Sequence, residues 1–238
     1  MKPARVHSWN VSPNEASAIQ LNLREKVAVS SYTDYPRLIA GTAVTLDPSN
    51  ETIHAALVVL QYPGMGLVEQ YAVSEGVKFP YISGLLAFRE GPPLMRLFLK
   101  VEHKPDIIFF HSHGQAHPRR FGLASHVGVL LDTPSIGVSK RILVGEHKSL
   151  KQEKGGFAHI LYRDDEVGLA IRTKEGVDPL YLSVGHKVDS LSAMQLLLAC
   201  VSTYRLPEPL RLAQLAVNSH KEGEVVDVCL GGDQTTLF

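Results

Sequence analysis

Apolar and polar residues alternate along this chain in blocks that change period several times. The stretch SPNEASAIQLNLREKVAVS, residues 12–30, opens with Ser12 as a helix N-cap, Pro13 at the first helical position and Glu15 three after the cap. That is a capping box, and Ala16, Ile19, Leu23 and Val27 then mark one helical face. Three strand-like runs follow, Arg37–Leu46, Thr52–Gln61 and Gly66–Ser74, separated by the turn sequences DPSNE and YPGMG, which predict an antiparallel meander. The pattern then changes to a helix over Leu85–His103, a short apolar run Asp106–Phe110, a helix over Arg120–Asp132 and a short strand Ser135–Ser139. Such alternation predicts βαβ units with parallel strands. Further strands are expected at Phe157–Tyr162, Val167–Arg172 and Leu180–Val184, and helices near Ser190–Thr203 and Pro209–His220. The expected fold is α/β: a mixed sheet, antiparallel meander first and parallel strands after, flanked by helices. No repeat or linker divides it, so residues 1–238 read as a single domain, with 1–11 and 222–238 expected to be poorly ordered.

Composition adds limits. Of 238 residues, 45% are hydrophobic and 20% charged, enough for one sizeable core. Basic and acidic residues balance at 24 each, so any footprint for nucleic acid must be local. Cys200 and Cys229 are too few for a disulfide framework and lack zinc-ligand spacing. The opening MKPARVHSWNVSPNE has no apolar run, no membrane span is expected, and the expected address is the cytoplasm, as a monomer.

The chemistry concentrates in His111–Leu143, HSHGQAHPRRFGLASHVGVLLDTPSIGVSKRIL, which begins where the strand Asp106–Phe110 ends. Carboxyl ends of strands are where ligands bind in open α/β sheets. His111, His113, His117 and His126 fall here with Arg119 and Arg120. His126 lies on a helix and reads as structural or solvent-facing. The two arginines, at a loop–helix start, and Lys140, at a strand end, are candidates for phosphate or for mere solvated charge.

The run from Gly114 to Lys140 containing AHPRRFG resembles the central signature of the endonuclease V family, and PYISGLLAFRE, Pro80–Glu90, is similar to its PYIPG…FRE segment. IAGTAVTL around Gly41, LSVGH ending at His186 and RLPEPLRLAQL from Arg205 align in the same order. The resemblance implies a ribonuclease-H-like core that recognises inosine in DNA or RNA and cuts the strand on its 3′ side with Mg²⁺ or Mn²⁺. It implies that Tyr81 is a wedge that helps strip the lesion base from its stack. Ile82, Gly84 and Gly114 would line the base pocket. His117, Arg119, Arg120, Ser183 and His186 would contact nucleic acid, and Lys140 would act beside the catalytic carboxylates.

The carboxylates themselves depart from the pattern. Where the family carries an Asp in the first core strand, in a segment like AGVDVS, this chain has Ala43; where it carries the Asp of DGHG, this chain has His111. The position after LPEP, an Asp or His in the family, is Gln214, and only Glu90 remains. Asp47 shares a strand face with Ala43 but lies about 13 Å along it. Three expectations follow: a nucleic-acid-binding protein with lost or strongly impaired nuclease activity and weak or absent Mg²⁺ or Mn²⁺ binding, an active nuclease with one metal held by Glu90 and His111, or an interaction protein that no longer touches nucleic acid.

Overall fold

The computed structural model describes residues 1–49 and 51–230. The chain enters on α1 (Pro13–Arg24), where the Ser12 side chain accepts from the Glu15 amide and the Glu15 carboxylate accepts from the Ser12 amide, as the capping box requires. β1 (Leu38–Asp47), β2 (Thr52–Gln61) and β3 (Gly66–Gly76) form the antiparallel meander. After α2 (Leu86–Lys100), β4 (Ile107–Phe110) joins β1 in parallel; after α3 (Leu123–Leu131), β5 (Ser135–Ser139) joins β4 in parallel. The order β3-β2-β1-β4-β5 is the ribonuclease-H-like core.

Beyond it the sheet continues through β6 (Glu146–His147), β7 (Phe157–Tyr162), β8 (Asp165–Ile171) and β9 (Leu180–His186), and the full order is β10-β3-β2-β1-β4-β5-β9-β8-β7-β6. The sheet is mixed, as the sequence pattern predicts, and the strands after β5 turn antiparallel. β9 runs antiparallel to β5, and β7, β8 and β9 are antiparallel to one another. Short connections between them carry no helix, and a parallel crossover needs one.

The fully buried β4 and the nearly buried β1 explain their unbroken apolar reading. One face packs Ala40, Leu57, Ile108 and Phe110 against α2 and α3. The other packs Ala43, Ala56 and Val58 against Ala213 and Val217 of α5 (Glu208–Lys221), with α4 (Ser190–Ala199) over β8 and β9.

Both termini make contacts with the core where they are described. The Met1 ammonium donates to the carbonyls of Phe98 and Val101, each at 2.9 Å, and the Ala4 amide donates to Leu130. Trp9 stacks on the buried His126 at 5.1 Å between ring centroids, and His7 and His126 face each other with their Nε2 atoms 2.7 Å apart. At the other end β10 (Val228–Cys229) adds a strand to β3. Isolated aromatics in a polar stretch give no periodic signal, which hid the first docking; a two-residue strand hid the second. Residues 231–238 lie outside the described part. No helix among the described residues is long and apolar enough to cross a membrane.

Candidate nucleic-acid cleft

The site forms where β4 ends against the middle of β1, beside the loop from β3 to α2. In that loop Gly84 has φ +78°, a conformation L side chains rarely adopt, and a Cβ there would sit 2.9 Å from Nη2 of Arg119. Its carbonyl is the anchor. It accepts from His117 Nε2 at 2.9 Å and from Arg119 Nη2 at 2.6 Å. Arg119 Nε donates to Gln20 of α1 at 2.6 Å, and Gln20 donates onward to the Phe121 carbonyl. The loop that lacks the family's proline at Ser83 is therefore held by hydrogen bonds at the next residue.

Tyr81 stands at the lip, 72% exposed, with the Arg89 guanidinium 6.0 Å from its ring centroid. Below it a cavity of about 160 Å³ is walled by Ile82, Gly84, Leu86, Ala87, Ser112, His113, His117, Gly122 and Leu123, with Leu143 at its rim. Two buried polar atoms in that wall, Ser112 Oγ and His113 Nδ1, have no hydrogen-bond partner. Native interiors rarely leave such atoms unpaired, and a ligand edge is one thing that pairs them.

The floor is fixed by close backbone approach. A Cβ on Gly114 would lie 2.0 Å from the Val184 carbonyl, and the Gly114 amide donates to Ser183 Oγ at 2.8 Å. Ser183 is buried and so positions Gly114.

β1 and β4 run in register with Thr42 opposite Phe110, so Ala43 and His111 leave that seam as neighbours. Ala43 is 2% exposed and offers no donor atom. The His111 imidazole is held below its ordinary pKa by burial first and then by the charge of Lys140, against a hydrogen bond with Gln214. Lys140 itself is exposed. The three changed positions and the lysine thus meet as one cluster. Asp47 is engaged by Ser49 at the far end of its strand.

Glu90, one turn into α2, has no hydrogen-bond or ion-pair partner among the described residues. Burial pushes its carboxyl up to about 8, with Arg89 pulling the other way. A carboxyl whose folded pKa exceeds its unfolded 4.5 costs stability progressively as pH rises from 4.5 to about 8. Glu90→Gln is therefore expected to stabilise the fold above pH 8, by an amount on the order of a few kcal/mol that vanishes below the unfolded pKa. Urea unfolding of both proteins across that range checks it; a difference that does not change with pH would mean that the fold leaves the Glu90 carboxyl unshifted.

Other expected contact residues have protein partners. Arg119 and Arg120 lie at the loop–helix start: Arg119 ties the Gly84 loop to α1, and Arg120 donates to the Tyr162 carbonyl and pairs with Asp165 at 2.9 Å. His186 is buried; its Nδ1 accepts from the Ala28 amide and its Nε2 lies 3.4 Å from Asp132. It packs beneath the sheet end, and its ring is not part of the cavity wall. His126 is fully buried, as its structural reading requires. Sequence reasoning missed Gln20, Ser112 and Leu143. The available signal was Gln20, a polar residue on the apolar face of α1 one turn after Ala16.

A family-wide sequence profile for Endonuclease V matches residues 21–215. The Endonuclease V of Gloeobacter violaceus is 42% identical over 211 residues, covering 87% of this chain and 86% of the relative. The crystal structure of Endonuclease V from Streptomyces avermitilis superimposes with a TM-score of 0.85 at 37% identity, covering 94% of this chain and 99% of that one. Ciona intestinalis Endonuclease V, crystallised in complex with a 24mer DNA containing an inosine followed by a ribo-adenosine, matches with a TM-score of 0.76 at 26% identity, covering 88% of this chain and 98% of that one.

Proposed function

The chain belongs to the endonuclease V family, and from that premise we propose that it binds inosine-containing strands through the cavity under Tyr81 while its metal-dependent cutting is lost or strongly impaired. One contrast carries this reading. The base cavity keeps a fixed loop, a close-packed floor and two polar atoms awaiting partners, whereas the seam beside it has lost its donors.

The donor set there does not fit the family's metal chemistry. Mg²⁺ and Mn²⁺ take oxygen ligands, and two-metal hydrolysis needs carboxylates to hold and neutralise both ions. A methyl group at Ala43, an imidazole at His111 and an amide at Gln214 leave Glu90 as the one carboxylate at these four positions. Among the described residues no group of three metal-capable side chains gathers at this seam. The same count speaks against a single ion shared by Glu90 and His111.

Binding follows from the remaining parts. Tyr81, held by Arg89, is placed to take the room of an extruded base, a move that costs a few kcal/mol of stacking. The extruded base enters a slot whose Ser112 and His113 atoms can meet its polar edge. Lys140 supplies a positive charge near the backbone path, without the acidic cluster that would compete for it.

The test is a titration of labelled strands differing only in inosine or adenosine. Tyr81→Ala is expected to weaken inosine binding about tenfold or more, the scale of one base–aromatic stack. Equal binding of both strands, unmoved by Tyr81→Ala, would remove the proposal, and no salt-sensitive binding of either strand would favour an interaction protein that has left nucleic acid.

A further inference from the structure

On the sheet edge formed by β3 and β10, three side chains of different chemistry converge. Glu69 of β3 and Cys229 of β10 are direct cross-strand partners, and His103 comes from the turn between α2 and β4. One ligand atom from each lies within 4.8 Å of the other two. Glu102, next to His103, brings a fourth: its Oε2 is 3.7 Å from Cys229 Sγ.

The local hydrogen bonds account for part of this arrangement only. Glu69 is fully buried, and its two oxygens accept from the backbone amides of Glu102 at 3.1 Å and His103 at 2.6 Å, while His103 Nδ1 also lies on Oε1. That explains a carboxylate capping the turn. It does not explain why a thiol in contact with the Tyr71 hydroxyl and Glu102 Oε2 is set beside the Glu69 carboxylate and an imidazole. A divalent ion resolves the convergence, since it holds a thiolate, an imidazole and carboxylates at once and offsets their charge.

We propose that Glu69, His103 and Cys229, with Glu102 completing a tetrahedron, bind a thiophilic divalent metal of the zinc class and clamp β10 onto β3 and the α2–β4 turn. Tetrahedral zinc with bonds of about 2.0–2.3 Å sets its ligand atoms roughly 3.5 Å apart. The observed spread closes to that by rotating two side chains with room to move: Cys229 is exposed, and the His103 side chain is 36% exposed. A mixed set of sulfur, nitrogen and oxygen favours zinc over Mg²⁺ or Ca²⁺. The ligands come from three separate stretches of chain, so no local sequence spacing announces the site.

The experiment uses the full chain without a histidine tag. Equilibrium dialysis against Zn²⁺ is expected to give one equivalent per chain, and Co²⁺ in its place to give a thiolate-to-metal charge-transfer absorption. Cys229→Ser, at an exposed position, is expected to fold normally by circular dichroism, to lose that absorption and to weaken Zn²⁺ binding by more than the roughly 10- to 100-fold that outer partners are worth. His103→Gln is expected to weaken it similarly, whereas Glu90→Gln leaves it intact. No uptake at micromolar Zn²⁺, uptake indifferent to Cys229→Ser, or uptake abolished by Glu90→Gln would each overturn the proposal. None of these outcomes depends on what the cleft binds.

Discussion

Replacing Ala43 and His111 together with Asp is expected to produce Mg²⁺-dependent cutting of an inosine-containing strand, at a rate on the order of a thousandfold or more above the unmodified chain. The register makes the pair the right place to act: Thr42 faces Phe110, so the two new carboxylates follow side by side, with Glu90 as the third. Geometry also predicts the cost. Ala43 is almost fully buried against α5, and two carboxylates placed there without a cation repel each other and lose water. The double variant should therefore have a lower Tm than the parent in chelator and recover with Mg²⁺, whereas the parent's Tm should not move with Mg²⁺. A variant that takes up Mg²⁺, seen as that recovery, and still fails to cut would show that the site has lost more than its carboxylates.

Acidification from pH 6.5 to about 4 is expected to remove several kcal/mol of folding stability. Each histidine contributes about 1.4 kcal/mol for every pH unit by which its folded pKa lies below the unfolded one. Seven histidines, at positions 7, 54, 111, 113, 117, 126 and 186, are held below their ordinary pKa, burial being the first cause in each. The most deeply enclosed of them carry most of the effect: His126 lies well below its ordinary value, and His113 and His117 are lowered to about 4. A histidine neutral in the fold but protonated in the unfolded chain gives stability that is present above 6.5 and lost as pH falls toward the folded value. Glu90 runs in the opposite direction over part of the window, one group against seven. His117 has a defined role in this: its Nε2–H donates to the Gly84 carbonyl and its Nδ1 accepts from the Arg119 amide, so a second proton has nowhere to bond. Urea unfolding across that window should show a steep decline, and His117→Gln should flatten it. Stability independent of pH between 6.5 and 4 would mean these rings are solvated.

What the sequence made legible was what local pattern encodes. The capping box at Ser12–Glu15, the meander turns and the change of period near Leu85 placed α1, β1 to β3 and the first parallel strands within a few residues. Family motifs identified Ala43, Glu90, His111 and Gln214 as the positions to compare, and the structure brings Ala43, His111 and Gln214 with Lys140 to one seam. Strand direction after β5 was not legible, because an apolar run looks the same in either sense. Side-chain partnership was not legible either. Arg119 in AHPRRFG reads equally well as a phosphate ligand or a strut, and its bonds to Gln20 and the Gly84 carbonyl could not be read from the sequence. Cys229 looked solitary because its neighbours Glu69 and His103 are remote in sequence.

The most direct test of the account follows binding and cleavage together on one labelled inosine-containing oligonucleotide, with the unmodified chain, first in Mg²⁺ and then in Mn²⁺. The account predicts inosine-preferring binding with the strand left whole in both. Cutting by the unmodified chain at a rate matching the Ala43→Asp, His111→Asp variant would contradict it, and would mean that Glu90, His111 and Gln214 hold a working metal after all.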